Sequence, residues 1–134
     1  MSCLVDTNIL SELAKPLPNP GVMSWARGVS QIALSAVTVE EVYFGLSWKP
    51  HPRVEQWLEA FLRQNCRVLP VTDEVARQSG VLRGALRVRG FSRTQADMLI
   101  AATAHVHALT LVTRNERDFA DCGITVLNPF SPLP

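Results

Sequence analysis

Cys3-Leu4-Val5-Asp6-Thr7-Asn8 opens the chain with an apolar run that stops abruptly on an aspartate. An apolar run breaking on a polar Asp-Thr-Asn reads as a buried strand feeding a helix. Ile9, Leu10 and Leu13 then follow at helical spacing until Lys15-Pro16 stops them. The same grammar recurs along the chain. Ile32-Ala33-Leu34-Ser35 is a second strand, after which Thr38 opens a helix through Val39, Val42 and Leu46. Arg67-Val68-Leu69 is a third strand, and Thr110 to Thr113 and Ile124 to Leu127 are the last two. Helices are expected over Val22 to Arg27, closed by Gly28, and over Pro52 to Gln64, where Val54, Trp57, Leu58, Phe61 and Leu62 share one face. A longer one runs from Asp73 to Val88, with Val75, Ser79, Leu82 and Leu86 on a stripe and Gly90 at its end. Asp97 to His107 is apolar almost all round, as a helix packed on a sheet must be. Strands alternating with helices predict an α/β domain with a mostly parallel sheet.

The chain's 134 residues make one domain, long enough to bury a core without disulfides or a structural metal. The Pro-rich end, Asn128 to Pro134, is expected as a surface tail. Thirteen Lys and Arg nearly cancel twelve Asp and Glu, which excludes a polybasic coat and leaves only a local patch for any nucleic acid. Cys3, Cys66 and Cys122 form neither a zinc pattern nor a disulfide framework, as suits a reducing cytoplasm. Asp6 interrupts the N-terminal apolar stretch before a signal sequence forms, and the uncharged run Met98 to Thr113 is too short to span a bilayer. The expectation is a cytoplasmic protein with no membrane association.

Most of the acids sit where solvent is expected, but four do not. Asp6 follows the first strand directly, and Glu41 lies just beyond the second, in Ser35-Ala36-Val37-Thr38-Val39-Glu40-Glu41. Asp97 heads the most apolar helix, and Asp118 lies beyond the fourth strand in Thr113-Arg114-Asn115-Glu116-Arg117-Asp118-Phe119. Helix capping explains each of them singly. Asp6 is a plausible N-cap, and Thr38-x-x-Glu41 and Thr94-x-x-Asp97 both match the capping box. The set is harder to explain that way. In an open parallel sheet the strand C-terminal ends share one edge, where ligands bind. Converging carboxylates repel one another unless a cation joins them, and an all-oxygen set suits Mg²⁺ or Mn²⁺. A cation there lowers the pKa of bound water and stabilises charge on a phosphate, so the chemistry is phosphodiester hydrolysis.

At these residues the sequence resembles the PIN-domain proteins, specifically the VapC-type toxins of toxin–antitoxin pairs and their FitB-like branch. The resemblance rests on Leu4-Val5-Asp6-Thr7-Asn8, on Ser35 to Glu41 with Gly45 four residues on, on Ala96-Asp97-Met98-Leu99-Ile100-Ala101-Ala102-Thr103-Ala104, and on Leu111-Val112-Thr113-Arg114-Asn115 with Asp118-Phe119. Each motif alone is weak; the four in this order are specific. The resemblance implies a three-layer α/β/α domain, commonly a homodimer, acting as a Mg²⁺- or Mn²⁺-dependent endoribonuclease and neutralised by a cognate VapB-like antitoxin. It makes Asp6 and Asp97 the principal metal ligands, Glu41 the third acid and Asp118 the fourth. Asn8, Thr113 and Asn115 become polar supports. Operator DNA would be met only through the antitoxin complex.

Other features carry less. Arg77, Arg83, Arg87, Arg89 and Arg93 form a stretch without acids between Glu74 and Asp97. Arg83, Arg87 and Arg93 are the candidates for RNA contact, against the alternative of a solvated helix face. His105 and His107 point in different directions on a helix and do not share a metal, and His51 reads as loop. Trp57 reads as core, whereas Trp48 beside Lys49-Pro50 is a candidate exposed contact. A haloacid-dehalogenase-like phosphatase would need an aspartate where Asn8 stands, and a receiver domain would need adjacent acids where Asp6-Thr7 stands. The remaining alternative is a non-catalytic binding module or corepressor of a toxin–antitoxin complex, for which the full acid set would be superfluous.

Overall fold

The structure, a computed structural model, describes residues 2–132. In chain order the elements are β1 (Ser2–Val5), α1 (Thr7–Leu13), α2 (Pro20–Gly28), β2 (Gln31–Ser35), α3 (Ala36–Trp48), α4 (Pro52–Gln64), β3 (Cys66–Leu69), α5 (Asp73–Val88), α6 (Gln95–Val106), β4 (Thr110–Val112) and β5 (Val126–Leu127), with a 3₁₀ turn at Glu116–Phe119 between the last two strands. The strands form one sheet in the order β3-β2-β1-β4-β5, and every pairing is parallel. The order reverses at β1, since the chain leaves it toward β2 and later returns to β4 on its other side. That reversal opens a crevice at the C-terminal ends of β1 and β4.

Alternation along the strands builds a core on each face of the sheet. Leu4, Ala33, Leu69 and Leu111 point to one side, into a cluster with Leu86 of α5, Met98, Ile100, Ala101 and Ala104 of α6, and Phe119. Cys3, Val5, Leu34 and Val112 point to the other, against Ile9 and Leu10 of α1 and Leu58 and Phe61 of α4. Burial on both faces is why the strands are apolar runs rather than alternating ones. Helix α3 serves both clusters, with Val37 on the first and Val39, Val42 and Leu46 on the second. The domain is therefore a three-layer α/β/α sandwich.

Several local expectations need correction. Helix α3 begins at Ala36, two residues ahead of Thr38, because the Ser35 hydroxyl at the end of β2 accepts from the Val37 N–H at 3.0 Å. Thr38 is then inside the first turn and fully buried, so Thr38-x-x-Glu41 is not a capping box. His51 lies in the loop before α4, as expected, and caps that helix, its Nδ1 accepting from the Val54 N–H at 3.4 Å. Trp57 is only partly buried, stacked on Phe61 with ring centroids 5.0 Å apart at the edge of the second cluster. Trp48 is 73% exposed.

Residues 133 and 134 of the Pro-rich end lie outside the described residues, but the segment before them is docked. Asn19, the N-cap of α2, accepts from the Ser131 N–H at 2.9 Å through Oδ1 and donates Nδ2 to the Ser131 carbonyl at 3.2 Å. Gly21 permits this approach, because a Cβ there would lie 2.3 Å from the Pro129 carbonyl oxygen and 2.6 Å from the Ser131 nitrogen. Both are backbone atoms and cannot swing away. Gly21→Ala should therefore cost about 1–3 kcal/mol, the usual penalty of overpacking, and show as a lower urea midpoint. A midpoint equal to that of the unmutated protein would mean that the segment is not held against α2.

Candidate active site

The crevice is built around Asp6. Register pairs Val5 with Val112, and the Asp6 N–H donates to the Val112 carbonyl at 3.0 Å, so the first residues past β1 and β4 face one another. The carboxylate is nearly buried and every contact it makes is with a neutral donor. Oδ1 accepts from the Thr7 N–H at 2.8 Å, the capping bond expected of it. Oδ2 accepts from the Thr113 hydroxyl at 2.8 Å and from Asn8 Nδ2 at 3.2 Å, and that amide also donates to Thr113 Oγ1 at 3.2 Å. Asn115 joins through its backbone N–H, which donates to Thr113 Oγ1 at 3.0 Å. Asp6 is thus a cap and a member of the site at once; the two readings do not compete.

Glu41 sits in the second turn of α3 and accepts from the Thr7 hydroxyl at 3.1 Å. No role was assigned to Thr7, yet it tethers two acids that stand 35 positions apart, its backbone to Asp6 and its side chain to Glu41. Its place directly after Asp6 was the only available signal. Asp97 lies in the first turn of α6, where its N–H donates to Thr94 Oγ1 at 3.1 Å, one half of the capping box. Asp118 is on the 3₁₀ turn with an exposed side chain. Arg93 stands beside that turn. It is half-buried and donates Nη1 to the Asp118 carbonyl at 2.8 Å, fastening the α5–α6 loop to that turn. Arg83 and Arg87 are exposed on α5 with no hydrogen bond or ion pair to the acids among the described residues.

The electrostatics show that the four acids share one neighbourhood. Burial pushes the Glu41 carboxyl up, and the charges of Asp6, Asp97 and Glu40 push it further against the relief from Thr7. Burial likewise raises Asp97, with Asp6 and Asp118 adding to it while Thr94 and Arg93 oppose. Neither acid has a Lys or Arg within ion-pair distance among the described residues, where the ion pairs are Lys15–Glu12 and Arg77–Asp73. Glu12 corrects the expectation that the remaining acids face solvent. It too is nearly buried, but Lys15 at 2.9 Å and the Asn19 N–H at 2.8 Å outweigh its burial and leave its carboxyl below the ordinary value. Glu12 is satisfied by the protein; Glu41 and Asp97 are not.

Those features fit a hard divalent cation. The donors are all oxygens, they repel one another, and among the described residues no Lys or Arg forms an ion pair with them. Among the described residues no three acidic, histidine or cysteine side chains already converge on one point.

A raised carboxyl pKa in the folded state means that the folded protein holds its proton to higher pH than the unfolded chain does. Stability of the metal-free protein should therefore fall as pH rises from the ordinary carboxylate value through the raised one, and stay lower above it. Glu41→Gln or Asp97→Asn should raise the melting temperature in chelator at neutral pH, with the gain vanishing below about pH 4. Equal melting temperatures at neutral pH would show that the acids do not repel.

A family model described as PIN domain matches residues 3–124. The chain is 33% identical to a protein named Toxin FitB from Neisseria gonorrhoeae, across 95% of this chain and 97% of that one. It is 32% identical to a VapC ribonuclease, Y4jK, from Sinorhizobium fredii, across 96% and 98% of the two chains. Its fold matches the solved structure of FitAB bound to a DNA fragment with a TM-score of 0.82 and 30% identity, covering 98% of each chain. With a parallel sheet reversing at β1, acids past its strand ends and a match across nearly its whole length, this chain belongs to the PIN-domain family.

Proposed function

We propose that the protein is the toxin of a toxin–antitoxin pair, an endoribonuclease that hydrolyses RNA phosphodiester bonds with Mg²⁺ or Mn²⁺ and is silenced by a separate antitoxin chain. The observation that carries this reading is the group of Asp6, Glu41 and Asp97 at the β1–β4 crevice. They are held by neutral donors, and among the described residues none has an ion pair with a Lys or Arg. The names of the relatives, a toxin and a VapC ribonuclease, agree with it. No helix among the described residues is long and apolar enough to cross a membrane.

Asp6 and Asp97 would hold the cation, with Glu41 and Asp118 on its flanks. When bound, it supplies positive charge to the phosphate and makes water a stronger nucleophile. Thr113 and Asn8 fix Asp6 Oδ2 without cancelling its charge, so the carboxylate keeps both its direction and its full attraction for a cation. Thr7 does the same for Glu41, whose carboxyl is pushed above the ordinary value by burial. Asp118 is exposed at the rim and its carbonyl is held by Arg93, so its side chain is positioned from one side and open on the other.

Purified protein should cut a mixed RNA sample into discrete fragments with Mn²⁺ or Mg²⁺ and not with chelator. Asp6→Asn with Asp97→Asn should abolish cutting and also the rise in melting temperature that a bound ion gives by mass action. A full-sized rise in the double variant would place the ion elsewhere. No cleavage by folded protein under any metal would favour the non-catalytic module instead. Thr113→Val removes the hydroxyl that orients Asp6 and should lower cleavage about 10–100-fold, as loss of an outer-shell partner does. Unchanged cleavage would mean that Asp6 needs no such support.

A further inference from the structure

Beside the acids, but not made of them, lies a groove of about 710 Å³ between the α1–α2 loop and the docked C-terminal segment. Lys15, Asn19, Arg114, Asn128 and Phe130 line it. Arg114 connects it to the site, because its backbone N–H donates to Asn8 Oδ1 at 3.0 Å, and Asn8 in turn donates to Asp6. The guanidinium is stacked over the Phe130 ring, 4.5 Å from its centroid. Among the described residues no carboxylate lies within ion-pair distance of it. Stacking fixes the plane of a guanidinium while leaving its edge N–H groups for an anion.

The second cation, unlike Arg114, is in an ion pair. Lys15 is more than half exposed, and the Glu12 carboxylate it touches is nearly buried and already bonded to the Asn19 N–H. The ammonium itself pairs with Glu12 Oε1 at 2.9 Å, at the lining of the groove. Lys15 and Arg114 both act on Glu12, the one carboxylate in the lining, while Glu116 stands outside it, bonded to Asn128 at 3.3 Å; the lining itself carries the excess of positive charge, next to a crevice that the acids make negative. A polyanion entering that crevice gains from a cation on the flank, since the acids attract only the metal and repel the strand. An ordered guanidinium fork matches a phosphodiester better than it matches a neutral ligand.

We propose that this groove is the subsite for the RNA phosphate neighbouring the one that is cleaved, with Arg114 its anchoring residue and Lys15 the second cation. The inference rests on the ribonuclease reading above and adds where the strand runs: from the β1–β4 crevice toward the C-terminal segment, not along the arginines of α5. Phe130 and Asn8 act as positioning residues for Arg114.

The test is binding of a short, labelled, single-stranded RNA of mixed sequence in chelator, followed as a function of salt, together with cleavage kinetics in Mn²⁺. Arg114→Ala should weaken binding about tenfold and flatten the plot of log affinity against log salt by about 0.7, the value of one phosphate contact on a single strand. It should raise KM and leave kcat nearly unchanged. Arg114→Lys should restore the salt slope but only part of the affinity, which a purely structural role would not produce. Lys15→Gln should shift the slope in the same direction independently, and Arg83→Ala should not move it. Melting temperatures confirm that each variant is folded. If Arg114→Ala and Lys15→Gln keep the affinity and slope of the unmutated protein, or if the slope follows Arg83 instead, the subsite is wrong while the ribonuclease reading stands. If the unmutated protein binds RNA through this groove but never cleaves, the subsite stands and the catalytic reading falls.

Discussion

The pairing of β1 with β4 is the constraint on which the site depends. It sets Val5 beside Val112 and so brings Asp6 opposite Thr113, residues 107 positions apart in the chain. A strand slipped by one residue turns every side chain to the opposite face. Here such a slip would exchange Leu4 with Cys3 and Val5 between two filled cores, so burial on both sides of the central strand pins the register. The hydroxyl–carboxylate contact at the mouth of the crevice is the visible end of that packing. Its geometry is therefore enforced by apolar residues that take no part in the chemistry.

The acids illustrate two ways of burying a carboxylate. Glu12 is given a lysine and a backbone N–H, and its proton is lost more readily than usual. Glu41 and Asp97 are given hydroxyls and one another, and hold their protons to higher pH. The first arrangement stabilises the fold. The second works against it, because like charges gathered in a partly dry crevice repel. Neutral donors direct Asp6 and Glu41 without removing their charge, whereas Lys15 offsets that of Glu12. Positive groups stand one layer away, with Arg93 behind the 3₁₀ turn and Arg114 stacked on Phe130.

Much of the fold was legible because both cores leave their mark on the sequence. The single apolar face of α4 and the stripe of α5 follow from burial on one side, and the nearly all-apolar α6 from its place over the sheet. Errors came where two local signals coincide. Thr38-x-x-Glu41 has the form of a capping box, yet Ser35 caps α3 because β2 passes into the helix without an intervening loop. Glu12 looked like a solvent-side acid because its partners, Lys15 and the Asn19 N–H, come from a loop whose path the sequence does not spell out. Arg93 belonged to a run of arginines, and nothing in that run distinguishes the one whose guanidinium turns inward.

The sequence by itself determined the strand–helix alternation, the parallel sheet and the identity of the four acids. Each of these follows from local periodicity or from a carboxylate standing directly after an apolar run. Asn8 and Thr113 were already named as supports by the resemblance; tertiary structure alone decided that Thr7 joins them, which oxygen each one meets and which cations stand nearby. Thr7 reaches Glu41, Thr113 and Asn8 reach Asp6, and Arg114 comes to rest on Phe130. These partners are set by strand register and by the docking of the chain's end on α2. Both depend on how two cores pack across one sheet, which no window of sequence contains.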